Sequence, residues 1–355
     1  MRENLKVLIL ATSPMTRGGI TSVINAYRQS DMWEDYHCRW IETHRDGSAF
    51  VKLVYFVLGL FQYVLFLPFY DIVHIHVSEP PSALRKCFFM PVAKLLRKKT
   101  IVHFHSFSPE TTVKGNRAYL YSYLFGKADV VIALSPYWKR EISSALTQIE
   151  ETKIKVLYNP CTCEMYPEVY QKKKNILFAG AIIARKGYED LLRAFAPIVR
   201  NHSDWNLVIA GDGELSKAKA IAREVEITDN VKFVGWIRDK EKDRAFKEAS
   251  IFCLPSYAEG FPMAVLDAWA YGLPVIATPV GGLPDIAVDN KNIILFPVGD
   301  VKALNYSLSI LIDDDDLRRS VSDEGLHLAK TVFNQSNIAN QLGQLYTSLF
   351  NDCKD

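Results

Sequence analysis

Ser250-Ile251-Phe252-Cys253-Leu254-Pro255 and, two residues on, Ala258-Glu259-Gly260-Phe261-Pro262-Met263-Ala264-Val265-Leu266-Asp267 read as a strand, a tight loop and a helix. A short apolar run bounded by turn residues suits a buried strand. Pro262 suits the first helical position, since its φ is preset and its missing N–H is not needed there. The backbone N–H groups of Phe261, Met263 and Ala264 would then point out of the helix start, where the dipole also favours negative charge. That arrangement predicts a phosphate site. Two acids bracket it, Glu259 in the loop and Asp267 about a turn and a half into the helix. Asp267 stands among apolar neighbours, and acids are seldom buried without a partner.

Working outward, strand-like and helix-like stretches alternate along the whole chain. In the second half, Asn175–Gly180 reads as a strand, followed by a loop carrying Arg185-Lys186 and a helix over Tyr188–Val199. Adjacent cations at a helix opening suit a diphosphate clamp, because phosphate oxygens accept charge-assisted bonds from both. Leu207–Gly213 and Val231–Trp236 supply two more strands. In the first half the strands are Lys6–Ala11, Asp71–Val77, Thr100–Ser106, Ala128–Ser135 and Ile154–Pro160. Gly18-Gly19 stands between the first of them and a helix, where a backbone can approach a ligand closely. Helical patterns cover Asp300–Ile312 and Ser336–Phe350, separated by a segment that opens with the acid run Asp313–Asp316.

This alternation predicts an α/β chain with two doubly wound, Rossmann-like sheets facing a cleft. With 355 residues there is room for two domains, expected at 1–165 and 166–335, with a linker over 161–174. Hydrophobic residues make up 49% and the net charge is +2, which excludes a disordered or broadly nucleic-acid-binding chain. The charge is unevenly split. Residues 1–165 hold 20 Lys and Arg against 14 Asp and Glu, a net of +6, whereas the remainder holds 22 against 26, a net of −4. The six cysteines, Cys38, Cys87, Cys161, Cys163, Cys253 and Cys353, lack paired metal spacing, so reduced thiols in the cytosol are expected. Met1 to Leu5 lacks a signal-peptide pattern.

Phe50–Phe69 is almost continuously apolar and reaches the roughly 20 residues that a membrane span needs. The strand that follows at once must join the same sheet as residues 5–11, which a true span would forbid. A packed crossover helix and a helix dipping into a bilayer surface both remain open. Arg85, Lys86, Lys94, Arg97, Lys98 and Lys99 follow, interleaved with apolar residues, and fit either anionic headgroups or a solvated basic face. His74 with His76, and His103 with His105, each share one strand face. These imidazoles would serve a metal-dependent hydrolase if they converge, and otherwise pack as structure.

Glu259 through Asp267 resembles the E-x7-E signature of the family 4 retaining glycosyltransferases of GT-B architecture, with Asp in the second acidic place. The run Gly272-Leu273-Pro274-Val275-Ile276-Ala277-Thr278 to Gly281-Gly282-Leu283-Pro284-Asp285 is similar to another motif of that family, and so are Phe104-His105-Ser106 and Tyr158-Asn159-Pro160. The chain departs from the pattern at Ala181, where the family has an arginine; Arg185 beside Lys186 would then do the neutralising. The resemblance implies a GT-B fold whose last helix, 336–355, crosses back onto the first, acceptor-binding domain. It also implies transfer of a sugar, with retention, from a nucleoside diphosphate sugar, UDP-linked by expectation. His105 and Glu259 would be catalytic; Gly18, Gly19, Arg185, Lys186, Trp236, Ile237, Phe261, Met263, Ala264 and Asp267 would bind the donor. No metal or other cofactor is expected, nor nucleic acid. The expected acceptor is a lipid-linked saccharide of envelope, capsule or exopolysaccharide synthesis, met at the inner face of a membrane. A non-catalytic GT-B scaffold that binds nucleotide sugar is the further alternative.

Overall fold

The computed structural model describes residues 5–161 and 172–351. Most of the expected linker, with Cys163 and Pro167, lies outside the described residues, as does Cys353. The chain divides into two compact units, Met1–Thr162 with Phe333–Asp355, and Cys163–Val332.

The first unit holds a parallel sheet of β1 (Val7–Ala11), β2 (Arg39–Glu42), β3 (Ile72–Val77), β4 (Lys99–Phe104), β5 (Val130–Ala133) and β6 (Ile154–Val156), in the order β2-β1-β3-β4-β5-β6. β1, β3 and β5 are buried at every position. This is why their sequences run apolar without alternation: helices cover both faces of a parallel sheet. β2, Arg-Trp-Ile-Glu, is half exposed at the sheet edge and carries no such run, so the sequence pattern passes over it. The helix Gln335–Asn351 belongs to this unit. Its buried Tyr346 places a hydroxyl 2.6 Å from His74 Nδ1.

The second unit repeats the plan with β7 (Asn175–Ala179), β8 (Asn206–Ala210), β9 (Val231–Gly235), β10 (Ile251–Leu254), β11 (Val275–Ala277) and β12 (Ile294–Leu295), ordered β12-β11-β10-β7-β8-β9 and parallel throughout. The acid run is not a bare connection. Asp314 accepts a bond from the Leu317 amide at 2.8 Å and caps a helix, Asp315–Thr331, whose polar composition hid it.

Two alternatives left open for the first unit are narrowed by burial. The helix over the apolar stretch, Ala49–Phe66, is not packed away: its buried residues are Gly59 and Tyr63, while Phe50, Leu53, Val57, Leu58, Phe61, Val64 and Leu65 are exposed. Nor are the basic residues one solvated face. Arg85 and Lys86 are neighbours on the helix Pro80–Cys87, about 100° apart, so one of them turns inward, and Lys86 is only 2% exposed. Lys94 is tied to Asp129 at 2.5 Å.

Candidate active site

In an open parallel sheet, ligands bind outside the carboxyl ends of the strands where the strand order reverses. In the second unit that point lies between β7 and β10, and the loops leaving these two strands carry Arg185-Lys186 and Ser256–Phe261. The loops interlock. The Tyr257 amide donates to Arg185 O at 2.7 Å, and Arg185 Nη1 donates to Ala258 O at 2.5 Å. Lys186 Nζ lies 2.5 Å from Glu259 Oε1, which also accepts from Ser256 Oγ at 2.6 Å; Arg185 Nη1 stands 3.8 Å from Glu259 Oε2. Glu259 is buried, so the two cations and the hydroxyl replace the water it lost.

The helix after this loop is Met263–Ala270, with Pro262 at its N-cap rather than its first turn, one position earlier than expected. Pro262 O still receives the Val265 amide at 3.1 Å, and among the described residues the amides of Met263 and Ala264 have no backbone acceptor, which leaves an anion seat at the helix start. The Phe261 ring is buried and anchors the turn.

The Gly281-Gly282 run presses this loop into place from β11. The Gly282 amide donates to Gly260 O at 2.9 Å, and a Cβ on Gly281 would lie 1.8 Å from Glu259 O. At φ +60° only glycine adopts this conformation without strain. Thr278 Oγ1 donates to Ser256 O and ties the same loop.

Asp267 is buried, and its partner is Lys242 from the helix Asp239–Glu248, with Nζ 2.6 Å from Oδ2. Sequence reasoning missed Lys242 and Ser256. Ser256 lies three residues from Glu259 and was within reach of a local reading, but Lys242 is 25 positions from Asp267 and has no local signal. Trp236 and Ile237 are half-buried just beyond β9, which the strand order places two strands from β7.

The remaining expected site residues belong to the first unit. Gly18 caps the helix Gly19–Arg28 at φ 147°, with open space where a side chain would be. His105 lies one residue past β4; its amide donates to Val77 O at 2.7 Å and its Nε2 is 2.9 Å from His76 Nδ1. His74, His76, His103 and His105 do converge, as a contiguous stack with centroids 4.2 to 5.4 Å apart. Burial pushes the imidazoles of His74 and His105 down to about 3 and those of His76 and His103 well below their ordinary value, so all four are neutral. Ring nitrogens of His74, His76 and His103 lie within 4.8 Å of one another, with no carboxylate in the group. Zinc bonds of about 2.0 Å would require that set to contract.

Two family profiles match the chain: one described as Glycosyl transferases group 1 over residues 167–327, and one described as Glycosyltransferase Family 4 over residues 36–164. An uncharacterized 41.2 kDa protein in the cps region of Klebsiella pneumoniae is 26% identical over 372 residues, covering 96% of this chain and 99% of its own. Among solved structures, sucrose-phosphate synthase from Thermosynechococcus elongatus superimposes with a TM-score of 0.78 at 20% identity, covering 98% of this chain and 100% of that one. HepE of Anabaena, solved in complex with UDP, gives 0.76 at 17% identity over 97% and 100%. At these identities the structural likeness concerns the fold.

Proposed function

Because the chain belongs to glycosyltransferase family 4 and has the GT-B fold, we propose that it moves a sugar, with retention, from a nucleoside diphosphate sugar to the hydroxyl of a lipid-linked acceptor. The observation that carries this reading is the constellation of Lys186, Arg185, Glu259 and Ser256 beside the open amides of Met263 and Ala264. It sets positive charge for a diphosphate directly against a carboxylate able to hold sugar hydroxyls. As the glycosidic bond breaks, charge grows on the leaving diphosphate, and Arg185, Lys186 and the helix start neutralise it from fixed positions. The protein thus supplies the charge a metal would otherwise bring, and no metal is needed. Asp267, oriented by Lys242, holds the ribose, and Trp236 and Ile237 border the base. HepE was solved with UDP, which supports a UDP-linked donor.

The test is nucleotide release from a panel of nucleoside diphosphate sugars, with and without chelator and membrane lipid extract. One donor should turn over regardless of chelator. Glu259→Gln should lower kcat/KM about 10- to 100-fold, the worth of a charge-assisted bond lost to a neutral one. Turnover by no donor, together with stoichiometric zinc on the protein, would favour a hydrolase using the histidine stack instead.

The membrane part of the proposal places the chain on the cytoplasmic face of an envelope-building membrane, where the acceptor would feed capsule or exopolysaccharide. It is supported by the helix Ala49–Phe66. The stretch Ala49–Phe69 is long enough to cross a bilayer and holds an 18-residue window of mean hydropathy 2.0, yet only 17% of that window is buried. It does not cross: β2 before it and β3 after it both pair with β1, so both its ends return to one sheet. An apolar helix held this way lies in the interface. Leu58→Glu with Phe61→Glu alters side chains 51% and 67% exposed, so folding should survive while co-sedimentation with phosphatidylglycerol vesicles falls at least tenfold. Unchanged sedimentation would sink the membrane part alone.

A further inference from the structure

The reversal of strand order in the first unit lies between β1 and β3, and the residues gathered at the carboxyl ends of β1, β2 and β3 include cations without a counter-charge. Lys86 is 2% exposed, and its Nζ donates to Thr43 Oγ1, whose own O–H donates a hydrogen bond to Ala11 O at 2.8 Å. Among the described residues Arg85 Nε is buried without a hydrogen-bond partner, and so is His44 Nδ1; His44 Nε2 stands 3.4 Å from Asp46 Oδ1. Among the described residues, no carboxylate lies within 4.0 Å of Arg85 or Lys86. Burial drives the Lys86 ammonium well below its ordinary range, and the Arg85 guanidinium pushes the same way; burial and then Arg85 also lower His44.

Buried cations are normally paired, because the desolvation cost is otherwise several kcal/mol. Here the fold collects two cations and an imidazole where open parallel sheets bind ligands; Asp46 stands against His44, but among the described residues neither Arg85 nor Lys86 is given a carboxylate. The neighbouring surface is apolar. Phe88 and Phe89, directly after the helix Pro80–Cys87, pack edge-on against Phe56 and Tyr63 of the exposed helix, at 5.6 and 5.2 Å. Lys52, in the first turn of that helix, is close enough to His44 to lower its pKa.

We propose that Lys86, Arg85, Thr43 and His44 form a binding site for a phosphate ester on the acceptor, whose hydrocarbon tail lies along the helix Ala49–Phe66. The acceptor is then an amphiphile joined to its lipid through phosphate, a statement that rests on the reading of the chain as a transferase with a lipid-linked acceptor. The phosphate supplies the missing charge and draws the Lys86 ammonium back toward its ordinary range, so any proton that Lys86 lacks in the free protein is taken up from solvent on binding.

Titration calorimetry of the full chain with farnesyl diphosphate tests this, with saturating UDP to occupy the diphosphate clamp of the other unit. Measured in two buffers of different ionisation enthalpy, it also counts protons. Farnesyl diphosphate should bind with proton uptake. Lys86→Met, which removes a buried charge at similar volume and so should fold, and the half-exposed Arg85→Gln should each weaken binding at least tenfold, Lys86→Met also abolishing the uptake. Inorganic pyrophosphate binding as tightly as farnesyl diphosphate would overturn the amphiphilic acceptor in favour of free phosphate. Binding of phosphatidylglycerol vesicles but of no soluble diphosphate would overturn it in favour of a headgroup. Equal affinity in Lys86→Met and the unaltered protein would show Lys86 to be structural. Donor turnover is read separately, so its failure would remove the transferase reading while leaving these binding results standing.

Discussion

Gly281→Ala is expected to lower turnover by two orders of magnitude or more and to destabilise the second unit by about 2–4 kcal/mol, from left-handed backbone strain plus overpacking. The added Cβ would meet Glu259 O at 1.8 Å, so either the Gly281 backbone or the Glu259 loop must shift by more than an ångström. That loop carries the carboxylate held by Lys186 and Ser256, and a misplacement of this size costs about 10²-fold in rate. Gly272→Ala separates the two causes. It has the same φ of +60°, but its nearest neighbour is Ser322 Oγ at 3.7 Å, so only the strain, about 1 kcal/mol, should appear and activity should persist. Denaturant midpoints and turnover of both variants decide the matter: if Gly281→Ala behaves like Gly272→Ala, the contact with Glu259 is slack and the account of the loop fails.

Acid is expected to weaken the first unit between pH 6.5 and about 4.5, above the range in which ordinary carboxylates protonate. The sign follows from the histidine stack. In the folded chain burial holds His74 and His105 down at about 3 and His76 and His103 well below their usual value, whereas the unfolded chain titrates near 6.5. Below 6.5 the unfolded state therefore binds more protons, and stability present above that pH is lost as the pH falls. The slope is about 1.4 kcal/mol per pH unit for each fully buried imidazole. Denaturant unfolding of the first unit, followed at pH 7 and pH 5, should show a lower midpoint at pH 5. His103→Leu should flatten the difference without loss at pH 7, because both His103 nitrogens are buried and unpartnered. Equal midpoints at the two pH values would show that the folded stack takes up protons as readily as the unfolded chain, and the account of neutral imidazoles would fail.

The loop between β10 and its helix was legible because its information is local. An apolar run, an acid, a glycine and a proline within a dozen residues specify strand, turn and helix, and the error was a single position at Pro262. The two parallel sheets were legible for the same reason, since strands covered on both faces write themselves as continuous apolar runs. Where an element is half exposed and short, as β2 is, or polar throughout, as the helix Asp315–Thr331 is, that signal is missing.

The sequence by itself thus determined the alternation of strands and helices, the cations Arg185 and Lys186, the acids Glu259 and Asp267, and the presence of four histidines along two neighbouring strand segments. Only the tertiary structure decided their neighbours. Strand order brings β7 beside β10 and so Lys186 onto Glu259; a helix 25 residues away brings Lys242 to Asp267; the inward turn of one helix buries Lys86 and leaves Arg85 half-buried. The helix Ala49–Phe66 has the composition of a core helix and of an interfacial one alike, and its exposure depends on how little of the fold is available to cover it. Burial and pairing are properties of what the chain brings alongside a residue, and that is set by topology over tens of positions rather than by the residues next to it.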